Sequence, residues 1–164
     1  MSVQEEMSAL EAADGFRLGA FVARADGGAK GGIVILQEIF GVTDQLKAVA
    51  RSWAADGYDA IVPAMFDRTT PNTVVPFDEA PTGRDIALNL DPAKVQLDAE
   101  AARAAVDSGR SVSLIGFCLG GGQAAAPRLP ARADGRRRVL RHGPGEAPGE
   151  LSRRAPVPYA DSLW

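Results

Sequence analysis

Short apolar runs alternate with amphipathic stretches through the first 117 residues of the chain. Gly32–Leu36 is a continuous, largely β-branched run, which is typical of a strand buried on both faces. Residues 58–63 and 111–117 predict two more strands of this kind. Between them, residues 43–55 and 91–106 place apolar side chains on one helical stripe behind a Thr or Asp cap. Strands that alternate with helices predict an α/β fold with a parallel sheet.

Two segments ahead of the first buried strand predict a β-hairpin. Residues 16–24 mix apolar and polar positions between two Asp-Gly turn signals, and residues 7–12 are the predicted partner strand. Residues 67–91 are polar, contain prolines and show no clear period. We therefore expect a long loop there, of a kind that often carries function.

Composition narrows the classes of protein that the chain can represent. Its 164 residues are 46% hydrophobic and 24% charged, which predicts one globular domain. The net charge of −3 argues against a nucleic-acid partner, and no apolar run approaches the length of a membrane span. One cysteine forms no internal disulfide, and the first residues do not resemble a secretion signal. We therefore expect a cytoplasmic protein that does not bind membranes.

The charge pattern changes near residue 126. Residues 1–126 hold 10 Lys and Arg against 17 Asp and Glu, whereas residues 127–164 hold 8 against 4 and are rich in Arg and Pro. Such a tail has too little apolar material to offset its ordering entropy, so we expect a poorly ordered tail without a core strand. It is either a natural disordered tail or the product of a reading-frame change. The Arg, Pro, Gly and Ala bias favours a frame change.

The strongest chemical signal is Gly-Phe-Cys-Leu-Gly at residues 116–120, directly after an apolar run. It matches the nucleophile elbow, a sharp strand-to-helix turn with glycines on both sides of the nucleophile, with Cys118 in place of serine. The helix N-terminus favours a thiolate at that position, and the N–H of Leu119 would point at a developing oxyanion. The alternative is that Cys118 is a small buried apolar residue.

The segments GGIVILQEIFGV, TDQLKAVARSWAADGYDAIVPAMF and LIGFCLGGG, at this spacing, resemble the dienelactone hydrolase family. The resemblance covers roughly residues 5–126. It implies an α/β-hydrolase fold, here incomplete, with a mostly parallel sheet and flanking helices. It also implies that residues 1–126 form the N-terminal part of such a domain, ahead of the 127–164 tail. The substrate class that it implies is a small lactone or ester.

The resemblance also implies roles for individual residues. Cys118 is the implied nucleophile, and the resemblance implies that Glu38 contacts its thiol in the resting enzyme and helps to form the thiolate when substrate binds. The backbone N–H groups of Ile39 and Leu119 are the implied oxyanion donors. Arg84 corresponds to an arginine that binds the substrate carboxylate in the family. Arg68 is an alternative for that role, and either arginine could instead be an ordinary surface residue.

The catalytic His and Asp of the family's triad come from later strands, beyond residue 126. The single histidine, His142, stands in Arg-His-Gly-Pro and does not resemble the family's Gly-His motif. We therefore weigh a lactone or ester hydrolase against a catalytically inactive, truncated hydrolase-like chain, with redox sensing by Cys118 as a third hypothesis. No motif calls for a metal or an organic cofactor, and the sequence does not indicate an oligomeric state.

Overall fold

A computed structural model describes residues 3–117 and, as backbone only, residues 139–141. The described chain forms a six-stranded mixed sheet with the strand order β1-β2-β4-β3-β5-β6. Strands β4, β3, β5 and β6 run parallel, and the β1–β2 hairpin joins β4 in antiparallel pairing. The strands are β1 Gln4–Glu11, β2 Arg17–Arg24, β3 Gly32–Leu36, β4 Asp59–Pro63, β5 Val112–Gly116 and β6 Val139–Arg141.

Side chains along the central strands alternate between two apolar cores, one on each face of the sheet. In β3, Ile33 and Ile35 belong to one core, whereas Val34 and Leu36 belong to the other. All five residues of this strand are buried, as its apolar run predicts. Helix α1 covers the first face, and helices α2 and α3 cover the second. The helices are α1 Asp44–Ala55, α2 Ala80–Leu88 and α3 Pro92–Ala105.

The two helices expected from the sequence begin where their caps predict. Thr43 Oγ1 accepts the backbone N–H of Leu46 at 3.3 Å, and Asp91 Oδ1 accepts that of Ala93 at 2.9 Å. These bonds satisfy donors that a helix leaves unpaired in its first turn. The hairpin is also confirmed, although β1 starts three residues earlier than its sequence pattern predicts.

Two expectations are wrong in part. Residues 67–91 are not one long loop, because they contain α2 and a short 3-10 helix at Phe77–Glu79. Helix α2 buries only Gly83 and Ala87, so its sequence lacks the apolar stripe that identifies a helix. The tail was expected to hold no core strand, but the backbone of Val139–Arg141 pairs with β5. Hydrogen bonds of the main chain need no particular side chains, so composition did not exclude it.

A buried charge network ties three parts of the fold together, and the sequence did not predict it. Arg68, just after β4, donates from Nε and Nη2 to the two carboxylate oxygens of Asp98 in α3, at 2.8 and 2.7 Å. It also binds Asp14, in the turn of the β1–β2 hairpin, at 2.8 and 3.2 Å. Its guanidinium lies 4.4 Å from the Phe16 ring centroid. Burial raises the pKa of Asp98, and the pairing with Arg68 opposes that shift.

Removal of one partner should strongly destabilise the fold. We expect Asp98→Ala to lower the free energy of unfolding by about 3–5 kcal/mol, because it leaves the buried Arg68 charge without its main partner. The double variant Arg68→Met/Asp98→Leu should lose less than this single variant. Urea unfolding measures both. Lys47→Gln, which breaks only an exposed pair, is the control and should change stability by less than about 1 kcal/mol. A small loss for Asp98→Ala would show that the network does not stabilise the fold.

Candidate active site

The candidate site lies at the carboxyl edge of the parallel sheet, where β3 and β5 end side by side. Leu36 and Gly116 are the last register pair of these two strands. Glu38 stands two residues beyond Leu36, and Cys118 stands two residues beyond Gly116 in the sequence. Cys118 and Leu119 lie outside the described residues. The structure therefore describes the Glu38 side of the predicted site.

A tight turn shapes the loop that carries Glu38. The backbones of Glu38 and Gly41 form an isolated bridge, and Gly41 forms a second bridge with Val74. Gly41 has φ of +83°, and a Cβ at this position would lie 2.4 Å from the Thr73 carbonyl oxygen. Only glycine fits this conformation and this close approach. The turn therefore fixes the backbone of residues 38–41 against the segment that precedes α2.

Glu38 is only partly exposed at this edge. Burial raises the pKa of its carboxyl group above the ordinary value, because a less hydrated site disfavours the ionised form. Its conjugate base is thus a better proton acceptor than a fully solvated carboxylate. A group of this kind suits proton transfer with a thiol close by.

Ile39 is held by the backbone of α2. A Cβ on Gly83 would lie 1.9 Å from the Ile39 carbonyl oxygen, so glycine is required for this contact. The next residue of the helix is Arg84. The same contact that positions Ile39 therefore also places Arg84 close to the loop that follows β3.

The two arginines weighed for substrate binding have different surroundings. The side chain of Arg68 is 7% exposed and is bound by both Asp98 and Asp14. The side chain of Arg84 is exposed, with no hydrogen bond or ion pair to any described residue. Arg68 is thus engaged within the fold, whereas the Arg84 side chain is exposed, and a substrate-binding role for Arg84 stays a prediction.

Apolar side chains beside this loop were not recognised from the sequence as part of a site. Phe40 and Phe77 make an edge-to-face contact with ring centroids 4.8 Å apart. Phe77 is 59% exposed, and Val74 and Leu88 are also exposed. An exposed aromatic residue beside a loop is a candidate for a ligand surface. The sequence contains no clear signal for this contact, because residues 67–91 are mostly polar and show no period.

The described residues show no group of three or more His, Cys, Asp or Glu side chains arranged to hold a metal ion. Within the same residues, no helix has both the length and the apolar character to cross a membrane.

A mixed sheet with a parallel centre, helices on both faces and a carboxylate-bearing loop at the carboxyl edge define an α/β-hydrolase fold, described here in part. The profile of the "Dienelactone hydrolase family" matches residues 18–140. The chain belongs to this family. The match continues past residue 126, so the resemblance extends farther toward the C-terminus than the motifs alone indicate. The domain boundary near residue 126 stays a prediction.

Sequence relatives carry names from the same family. A Synechocystis sp. relative is 31% identical over 146 residues, which are 80% of this chain and 56% of that protein. The "Carboxymethylenebutenolidase" of Pseudomonas putida is 33% identical over 120 residues, which are 68% of this chain and 50% of that enzyme. The chain thus spans about half the length of these curated relatives.

Solved structures agree on the fold. A dienelactone hydrolase from Anabaena variabilis superposes with a TM-score of 0.57 at 14% identity, covering 86% of this chain and 63% of that one. A "Dienelactone Hydrolase-like" phosphotriesterase from metagenomic libraries reaches a TM-score of 0.62 at 24% identity, covering 84% of this chain and 59% of that one. At these identities the likeness shows the fold alone.

Gly83→Ala tests the contact between α2 and the Ile39 loop. Ala in place of Gly normally stabilises a helix interior by about 0.5–1 kcal/mol. Here we expect the opposite sign, a loss of about 1–3 kcal/mol in urea unfolding, because the added methyl group overlaps the Ile39 carbonyl. Thr82→Ala, at an exposed position of the same helix, is the matched control and should cause no loss. A stabilised Gly83→Ala variant would contradict this packing.

Proposed function

We propose that this chain acts as a hydrolase of the dienelactone hydrolase type, opening a lactone or small ester with Cys118 as nucleophile. The observation that carries the proposal is the register of β3 with β5, in which Leu36 lies opposite Gly116. Because Glu38 and Cys118 each follow their strand by two residues in the sequence, we expect both at the same edge of the sheet. Ligands of open α/β folds bind at this edge.

The proposed reaction divides one difficult step into two easier ones. The thiol proton of Cys118 passes to Glu38, and the sulfur attacks the carbonyl carbon. The N–H groups of Ile39 and Leu119 donate to the resulting oxyanion. Collapse of this intermediate breaks the bond to the ring or alcohol oxygen and leaves a thioester. The leaving oxygen takes the proton that Glu38 received from the thiol. Water then attacks the thioester, which releases the acid and restores the thiol.

The environment of Glu38 supports its part in this scheme. Burial raises the pKa of Glu38, which narrows the gap between carboxyl and thiol and makes the proton transfer less unfavourable. The two glycine-dependent contacts, at Gly41 and Gly83, hold the loop in place before any substrate arrives. Such preorganisation is what stabilisation of an oxyanion by backbone donors requires.

The surroundings of the loop support a substrate with one charged and one apolar part. Arg84 is exposed and available to bind a carboxylate, and the side chains of Phe40 and Phe77 offer an apolar surface nearby. We therefore propose that the substrate is a small lactone or ester that carries a free carboxylate. The partner in this proposal is a small molecule.

The first test is the pH dependence of thiol alkylation on the full chain, in which Cys118 is the single cysteine. We expect Cys118 to react below the pH of about 8.5 that is typical of a free thiol. Without substrate, an ionised Glu38 carboxylate disfavours a second negative charge close by, so in Glu38→Gln the midpoint should move lower by about one pH unit. The same carboxylate accepts the thiol proton only once substrate is bound. The rate of iodoacetamide labelling, followed by mass spectrometry from pH 5 to 10, gives the profile.

Glu79→Gln is the matched control, since Glu79 lies outside the loop that carries Glu38, and its profile should equal that of the wild type. If Cys118 reacts like the thiol of the urea-unfolded chain, the proposal fails. That result would favour the alternative of a catalytically inactive hydrolase-like chain.

Arg84→Gln tests how the substrate is recognised. We expect kcat/KM for a carboxylate-bearing enol-lactone to fall by about tenfold or more, mainly through KM, because the variant loses a charge-assisted hydrogen bond. Hydrolysis of a neutral nitrophenyl ester should change little. Arg110→Gln, at an exposed position ahead of β5, is the control. Equal losses on both substrates would assign Arg84 a structural role, and Cys118→Ala gives the background rate for either substrate.

A further inference from the structure

Gln37 is a buried polar residue that the reaction scheme leaves unused. It stands between Leu36, the last residue of β3, and Glu38, and its side chain is 1% exposed. A buried amide is unfavourable unless its oxygen and nitrogen find partners. Leu or Met would fill a similar volume without this difficulty. The bonds that the Gln37 amide makes therefore indicate its role.

Both ends of that amide bind backbone groups of separate segments. Oε1 accepts the N–H of Met65 at 3.0 Å, in a buried hydrogen bond. Nε2 donates to the carbonyl oxygen of Glu38 at 3.4 Å. Met65 lies two residues beyond the end of β4. The Gln37 side chain thus connects the loop of the candidate site to the segment that follows β4.

This connection occurs where the main-chain ladder is missing. The pairing between β3 and β4 ends with Val34 opposite Ile61, two residues before either strand ends. On its other side, β3 stays paired with β5 as far as Leu36. The edge of β3 that faces β4 is thus without paired residues where the site loop begins. The Gln37 amide bridges the segments that follow the two strands there.

We propose that Gln37 is a positioning residue for the proposed thiol chemistry, since it holds the Glu38–Ile39 backbone at a fixed place relative to β4. The proposal rests on the proposed function. Leu36 is fixed in the β3–β5 ladder, and the Gln37 amide binds both the Met65 N–H and the Glu38 carbonyl oxygen, so the backbone at Glu38 has little freedom to move. Without the amide, the loop keeps its contacts at Gly41 and Gly83 but loses the anchor at its start.

The test combines two substitutions in a double-mutant cycle, read out by the alkylation profile of Cys118. Gln37→Met keeps the volume and removes both hydrogen bonds. Gln37→Asn keeps an amide that is too short to reach both partners, and it serves if the Met variant does not fold. We expect either variant to shift the profile in the same direction as Glu38→Gln, with at least about threefold faster labelling at pH 7. In the Glu38→Gln background, the same substitution should change the rate by less than about twofold.

Asp91→Ala is the control for a general loss of stability, because it removes the cap of α3 and leaves the site loop untouched. Its labelling profile should equal that of the wild type, and urea unfolding at the assay pH confirms that each variant is folded. Folded Gln37 variants with a wild-type profile would overturn the inference, as would a shift that persists in full without Glu38. If Glu38→Gln itself leaves the profile unchanged, the proposed function fails as well, and this outcome is distinct from a failure at Gln37 alone.

Discussion

The parallel pairing of β3 with β5 is the constraint on which the candidate site depends. Because side chains alternate along a strand, a shift of one residue would move every core residue of β3 to the opposite face. All five residues of β3 are buried, so such a shift would exchange the two apolar cores. The register is therefore fixed by packing on both faces. Fixing it also fixes which residues follow the two strands at the carboxyl edge.

The loop after β3 depends on backbone contacts more than on side chains. The Ile39 carbonyl oxygen lies 1.9 Å from where a Cβ of Gly83 would be, and the Thr73 carbonyl oxygen lies 2.4 Å from where a Cβ of Gly41 would be. Backbone-to-backbone contacts vary little with side-chain rotamers, so they suit a loop whose N–H groups must point in a fixed direction. By contrast, the side chains of Arg84, Phe77 and Leu88 are exposed.

Local patterns in the sequence predicted the central fold well. The run at Gly32–Leu36 and the caps at Thr43 and Asp91 depend on neighbouring residues alone, and the structure has them where they were expected. Helix α2 was missed because a helix that packs through Gly83 and Ala87 leaves almost no apolar stripe. The sequence did not single out Asp98, since its partner Arg68 is thirty positions away and no local pattern links the two. For the site, the roles that the resemblance implied for Glu38 and Arg84 stay predictions, whereas the pairing of Arg68 with Asp98 and Asp14 could be seen only in three dimensions.

Polar contacts on several sides fix the residues that follow β4. They stabilise an edge of the sheet where few backbone pairs are formed. Met65 donates to Gln37 on the side of β3, and the Asp67 carboxylate accepts the N–H of Gly19 at 2.8 Å on the side of β2. Arg68 then joins α3 and the hairpin turn. The side chains of Gln37 and Asp67 bind backbone N–H groups that the sheet leaves unpaired. Asp98 and Asp14 neutralise the Arg68 charge, whose burial would otherwise be unfavourable. The edge that carries the candidate site is thus supported by buried polar groups, and apolar packing supports the middle of the sheet.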